Sequence, residues 1–285
     1  MYKYKAIREP SIRQFVRLCF LLCLLLLALL ACDIPVISQN TATSPTTTDG
    51  TPGGSQLNIW KTVAPGVEVR FEDWKNGEGD DDTVAIARFN LQDVQLSVGY
   101  APDKPEFLNG WVKQEQALAI INGGYFDQNE QATALVISNG QAYGQSYSGF
   151  GGMLSVDAQG HVELRSLRDQ PYSPNEQLEQ AVQSSPMLVL NGKRTQFNAD
   201  ASQTRRSVVA MDRQGRLLFI SSPGQVFSLD ELADQLVSSD LGIVNALNLD
   251  GGSSTGLMVN GKNGQQQVNV DSLVPLPLVV MVKER

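Results

Sequence analysis

The chain is short of the side chains that most hydrolytic enzymes depend on. In 285 residues it has one histidine and three cysteines. The cysteines are Cys19, Cys23 and Cys32, so nothing beyond residue 32 can form a disulfide or a thiolate metal site. The histidine, His161, follows the turn sequence Asp157-Ala158-Gln159-Gly160 and reads as a surface hairpin residue. Its position also removes a tempting motif. Gly252-Ser253-Ser254-Thr255-Gly256 has the spacing of a nucleophile elbow, but an elbow needs a helix after its serine and a histidine later in the chain. Here a strand is predicted at 257–259 and no later histidine exists. No lysine closes the glycine run, which excludes a Walker-type phosphate loop. Charge is modest, at 18% of residues with a formal net of -8. Residues 1–31 hold five basic side chains against Glu9, a net of +4, which leaves -12 on the remainder. Such an acidic body argues against nucleic acid as a partner.

The first 56 residues have a clear order. Residues 1–17 are basic, 18–31 are apolar throughout, and Cys32 follows. That is the layout of a secretory signal, with an apolar run short for a membrane span. An uncleaved signal anchor is the alternative. Leu29-Leu30-Ala31-Cys32 resembles the bacterial lipobox. The resemblance implies cleavage before Cys32, lipidation of that cysteine, and an exported, extracytoplasmic protein anchored to the bacterial membrane. Residues 32–56 are rich in Thr, Ser, Pro and Gly and read as a flexible tether. A single domain is expected over 57–285.

Period-two alternation predicts strands at 67–71, 83–89 and 94–100, with a buried strand at 119–121. From residue 133 onward strands meet at turn signals: Asn139-Gly140, Asp157 to Gly160, Asn191-Gly192, Asp212 to Gly215 and Asn260-Gly261. Helices are predicted at 105–118, 175–183 and 229–237, the last opened by a capping box of Ser228 and Glu231. The expected fold class is α+β: a mainly antiparallel mixed sheet built from hairpins, with a few packing helices. The run Asp80-Asp81-Asp82 reads as a solvated turn and lacks EF-hand spacing. No cofactor or metal is expected, although carboxylate-bound calcium or magnesium stays open.

Two small-residue breaks follow apolar strands. One is Asn122-Gly123-Gly124-Tyr125-Phe126-Asp127; the other is Asp250-Gly251-Gly252-Ser253-Ser254-Thr255-Gly256. Each could be a plain turn, or a place where backbone amides converge on a ligand. Arg205-Arg206 precedes a predicted strand and could hold an anion or lie at a solvated edge. With histidine and thiols gone, carboxylates, arginines, Asn, Tyr and hydroxyls remain, an inventory suited to glycosyl transfer or phosphate-ester binding.

Four stretches in order, INGGYFD at 121–127, SSPMLVLNG at 184–192, RRSVVAMDRQGRLLFI at 205–220 and LNLDGGSST at 247–255, resemble the phosphodiester glycosidase family. The chain departs from the family pattern at Ser253, where a third glycine is common, and at Ser185, where a glycine is common. The resemblance implies hydrolysis of a sugar-1-phosphodiester at the glycosidic bond, with a glycan or sugar-phosphate substrate. On the positions that match, the mechanistic expectation puts Asp250, Arg205 and Asn122 in catalysis: Asp250 at the anomeric centre as acid/base or nucleophile, Arg205 or Arg206 clamping the phosphate, and Asn122 bonded to sugar or phosphate. Asp127, outside the matching positions, is a candidate second carboxylate. Substrate binding falls to Gly123, Gly124, Arg206, Gly251, Gly252, Ser254 and Thr255. The alternative is a non-catalytic surface lipoprotein that binds cell-envelope glycan.

Overall fold

Hairpins are the unit of construction. Asn139-Gly140 turns with φ of 50° and 75°, and Asn191-Gly192 with 53° and 73°. Left-handed φ at both central residues matches a two-residue turn to the twist of its strands. The longer turns are closed by aspartates. Asp157 Oδ1 accepts from the amides of Gln159 and His161, and Asp212 Oδ1 from those of Gln214 and Arg216, all at 2.9 Å. The structure is a computed structural model that describes residues 57–198 and 201–285. The expected signal segment, Cys32 and the tether at 32–56 lie outside the described residues, and residues Gly54–Arg285 form one compact unit.

The strands make three sheets. The largest runs, in spatial order, Lys61–Ala64, Val67–Lys75, Asp81–Phe89, Leu217–Phe227, Thr204–Asp212, Ile243–Asn248, Met187–Leu190 and Lys193–Arg194. A second is ordered Gln141–Tyr143, Val136–Ser138, Leu178–Ser184, Gly152–Asp157 and Val162–Ser166. The third is ordered Gln266–Val270, Leu257–Asn260, Ala119–Asn122, Leu278–Glu284 and Val94–Tyr100. The expected sheet was mixed, but every strand pairing in these sheets is antiparallel.

All three sheets turn one face to a common core that includes Phe89 and Phe219 from the first, Leu154 and Val182 from the second, and Ile121 and Val280 from the third. Two helices cover outer faces. α1 (Leu108–Glu115) packs Leu108 and Trp111 on Ile120 and Met281 of the third sheet. α2 (Leu229–Ser238) packs Leu232 and Leu236 with Phe227 and Ile220 of the first. It opens with the expected capping box of Ser228 and Glu231.

The helix expected at 175–183 is not formed; Leu178–Ser184 is a strand instead. Its Glu, Gln, Leu and Ala favour a helix in isolation. Pairing on both sides, with Gly152–Asp157 and Val136–Ser138, together with burial of Ala181 and Val182, overrides that preference. The turn expected at Asn260-Gly261 also moves: Asn260 is still strand, and Gly261 closes the loop by donating to the Gln265 carbonyl.

Candidate active site

The two small-residue breaks meet. Ala119–Asn122 belongs to the third sheet and Ile243–Asn248 to the first, yet the loops leaving them are bonded to each other. The Asp250 amide donates to the Gly123 carbonyl at 3.1 Å. Asn122 Nδ2 donates to the Asp250 carbonyl at 2.7 Å, and Asn122 Oδ1 accepts from the Gly256 amide at 3.1 Å. Asn122 is 1% exposed, and both ends of its amide are spent on main chain. It therefore ties the second loop to the first strand, a structural use of the side chain beside the direct role expected of it.

Gly123 and Gly124 are also explained from within. A Cβ on Gly123 would lie 2.4 Å from Leu278 Cγ, and one on Gly124 would lie 2.4 Å from the Gln183 carbonyl oxygen. Gly123 makes room for Leu278 of the neighbouring strand in its own sheet, and Gly124 lets the second sheet approach.

In the second loop Asp250 is half-buried and its Oδ1 accepts from the Gly251 amide at 2.9 Å. Burial pushes the Asp250 carboxyl above the ordinary range, opposed by hydrogen bonds from the Ser254 hydroxyl and the Gly251 amide. Gly252 takes φ of 58° and starts a short 3-10 turn, Gly252–Ser254. Most of the amides expected to cradle an anion are already used. Ser254 donates to the Gly251 carbonyl and Thr255 to the Gly252 carbonyl, while Gly251 holds Asp250. Ser254 and Thr255 are buried.

The arginine pair divides. Successive residues of a strand face opposite sides of the sheet. Arg206 shares the face of Val208, whose partner across the strands is Asn248. Arg205 points the other way: its Nη2 donates to the Asp271 carbonyl at 2.7 Å and its Nε to the Pro223 carbonyl at 3.1 Å. Arg205 feels Asp271 and Asp82, whereas Arg206 acts on Tyr125 together with Asp250. Arg206 is held on main chain as well: its Nε donates to the Phe227 carbonyl at 3.1 Å and its Nη2 to the Ser202 carbonyl at 2.5 Å. Of the two expected arginines, Arg206 is the one whose charge reaches Tyr125.

Tyr125 and Asn248 complete the cluster, and neither was among the expected site residues. The Tyr125 hydroxyl donates to the Ser185 carbonyl at 3.0 Å and accepts from Asn248 Nδ2 at 2.8 Å. Asn248 Nδ2 also reaches the Ser185 carbonyl at 3.0 Å, and Asn248 Oδ1 is buried with no partner among the described residues. Burial, then the nearby Asp250 charge, pushes the Tyr125 phenol up to about 12, with Arg206 opposing. A polar Asn inside the apolar run that leads to Asp250 was the available signal for Asn248.

Residues 115–282 match the family model described as phosphodiester glycosidase. The chain belongs to this family. A search of curated proteins finds no match. Among solved structures, the catalytic domain of zebrafish N-acetylglucosamine-1-phosphodiester alpha-N-acetylglucosaminidase, auto-inhibited by its pro-peptide, is similar at a TM-score of 0.62 and 20% identity, over 80% of this chain and 88% of that one. A hypothetical protein from Synechocystis is similar at a TM-score of 0.56 and 17% identity, over 78% of this chain and 62% of that one. At these identities the likeness is one of fold.

Asp127 does not join the cluster. It is exposed, and its Oδ1 accepts from the amides of Asn129 and Gln131 in its own turn. Among the described residues no three His, Cys, Asp or Glu side chains are grouped to hold a metal ion. Beside the cluster lies an open cavity of about 860 Å³, whose lining includes Ser185 and Phe150 on one side and Thr195 and Phe197 on the other. Asp250 is not part of its wall.

Proposed function

We propose that the protein hydrolyses sugar-1-phosphodiesters at the glycosidic bond, releasing sugar from a phosphate-linked glycoconjugate or exopolysaccharide, as an exported protein lipid-anchored through Cys32. The observation that carries this reading is Asp250: a half-buried carboxyl at a strand end, held by Gly251 and Ser254; its charge acts on Tyr125, as does that of Arg206. In the proposed reaction the bond from the anomeric carbon to the phosphate oxygen breaks, and its electron pair leaves with the phosphate. A water oxygen takes its place on that carbon. The phosphate is a weakly basic leaving group and needs little help from an acid, so one carboxylate suffices. Ionised Asp250 acts at the anomeric centre, either as nucleophile or as the base that takes the proton of water. Retention of anomeric configuration marks the first and inversion the second. Arg206 lends positive charge to the departing phosphate, and Tyr125 stays protonated at working pH.

The test is sugar release from a sugar-1-phosphodiester by the wild-type protein and by Asp250→Asn. A fall in kcat of about 10²–10⁴-fold in a folded Asp250→Asn is expected. Near-normal turnover would remove Asp250 from the chemistry. Saturable sugar binding with no product from the wild type would replace hydrolysis by the glycan-binding reading.

A further inference from the structure

The cavity that shares Ser185 with the cluster has a built wall of its own. Phe150 lines it and is 47% exposed, an unusual state for a phenylalanine held in fixed geometry. One face of its ring stacks on Tyr147, with centroids 4.5 Å apart and 28° between planes. The segment is fixed from behind. Gly149 and Gly151, on either side of Phe150, take φ of 73° and 74°. A Cβ on Gly151 would meet the Ser184 carbonyl at 2.6 Å, so no larger residue fits there. The Tyr147 amide donates to Gln183 Oε1 at 2.9 Å, and Gln183 Nε2 donates to Ser146 Oγ at 2.8 Å. A rigid aromatic plane with polar groups around it is how a pocket takes a ring that has one apolar face and a hydroxylated rim.

The charge of the wall differs from that of the protein. Arg194 is committed to Asp230 and Asp234. Arg168 and Lys193 line the cavity without a carboxylate partner among the described residues, and Asp169 is the one carboxylate in the lining. The lining itself therefore offers two cations not tied to carboxylates, Arg168 and Lys193, beside one carboxylate, Asp169. The cavity meets the catalytic cluster through Ser185, whose carbonyl holds Tyr125 and Asn248. It is thereby joined to the Tyr125–Asn248 pair, whose tyrosine feels the Asp250 charge.

We propose that this cavity is a subsite for a second sugar: the one beyond the phosphodiester from the sugar released, stacked on Phe150, in a glycan whose negative charge faces Arg168 and Lys193. The proposal rests on the hydrolase reading and narrows its substrate to phosphate-linked, anionic oligosaccharide or polysaccharide.

The test compares three sugar-1-phosphodiesters, with a methyl group, a neutral disaccharide or an anionic disaccharide beyond the phosphate. The wild type is expected to prefer the disaccharides in kcat/KM. In Phe150→Ala the preference for the neutral disaccharide over methyl falls about tenfold, the loss of one aromatic contact, and Phe150→Trp restores it. In Arg168→Gln/Lys193→Gln the preference for the anionic over the neutral disaccharide falls about tenfold, and the difference fades in high salt. Preferences unmoved by these variants, or a wild type that does not distinguish the three, would overturn the subsite. If the wild type cleaves none of them, the hydrolase reading fails by itself. Calorimetric binding of the anionic disaccharide phosphodiester then decides the subsite: about tenfold weaker binding to Phe150→Ala supports it, and equal binding overturns it.

Discussion

The side chain of Asn122 holds the main chain of Asp250, with Nδ2 2.7 Å from its carbonyl oxygen across 128 positions of sequence. The same amide accepts from Gly256, so one buried residue closes both ends of the loop that presents the carboxylate. Asn122→Ala leaves a buried carbonyl and a buried N–H without partners, at a cost of about 1–3 kcal/mol each. A loss of about 2–5 kcal/mol of stability is expected in urea denaturation. Activity measured well below the new midpoint should fall as well, because Asp250 loses its position.

Asp250 itself should be costly to the fold. Burial raises its folded-state pKa above the unfolded value. Between the two values the native state binds the proton and the unfolded state does not, so stability present at low pH is lost as pH rises through the folded pKa. Asp250→Asn should therefore gain in urea midpoint relative to wild type as pH goes from acidic to neutral. An inactive variant that is no more stable at neutral pH than at low pH, compared with wild type, would contradict this.

The same shift sets a kinetic expectation. If ionised Asp250 is the working form, kcat/KM rises with pH, and its acidic limb lies above the ordinary carboxylate range. The Tyr125 phenol, pushed up to about 12, contributes no limb near neutrality. A rate profile with its acidic limb in the ordinary carboxylate range, or below it, would show that a different group controls the step.

The two arginines should separate by phenotype. Arg205 is buried, bonded to the Asp271 and Pro223 carbonyls, and its Nη1 has no partner among the described residues. Arg205→Met is expected to cost about 2–4 kcal/mol in thermal or chemical unfolding, through the loss of charge-assisted bonds. Arg206→Lys, at the arginine whose charge reaches Tyr125, is expected to lower kcat by at least about tenfold on a phosphodiester substrate. Equal losses of activity from both, at equal stability, would refute the division.

What the sequence reveals follows from the range of the interactions involved. Asn139-Gly140, Asn191-Gly192 and the Ser228/Glu231 capping box act within a few residues, and they lie where the pattern puts them. Residues 178–184 do not, because their conformation is decided by strands more than 20 and 40 positions away in the chain. The site divides in the same way. Two small-residue breaks and a carboxylate are visible as text. That the breaks touch, that Gly124 has Gln183 against it, and that Tyr125 shares a carbonyl with Asn248 are products of three sheets closing on one core. The alternation rule alone would have separated Arg205 from Arg206, once 204–212 was taken as a strand that includes both.

The strand Leu278–Glu284 lies inside its sheet, between Val94–Tyr100 and Ala119–Asn122. A chain emerging from its N-terminal end thus makes Asn122 and Asp250 long before the strand that seats Asn122 exists. The large sheet can form first, and the frame around the carboxylate is closed last. The working geometry is in this sense a check on completeness: a chain that stops short of residue 278 carries every side chain of the cluster but leaves Ala119–Asn122 paired on one side alone.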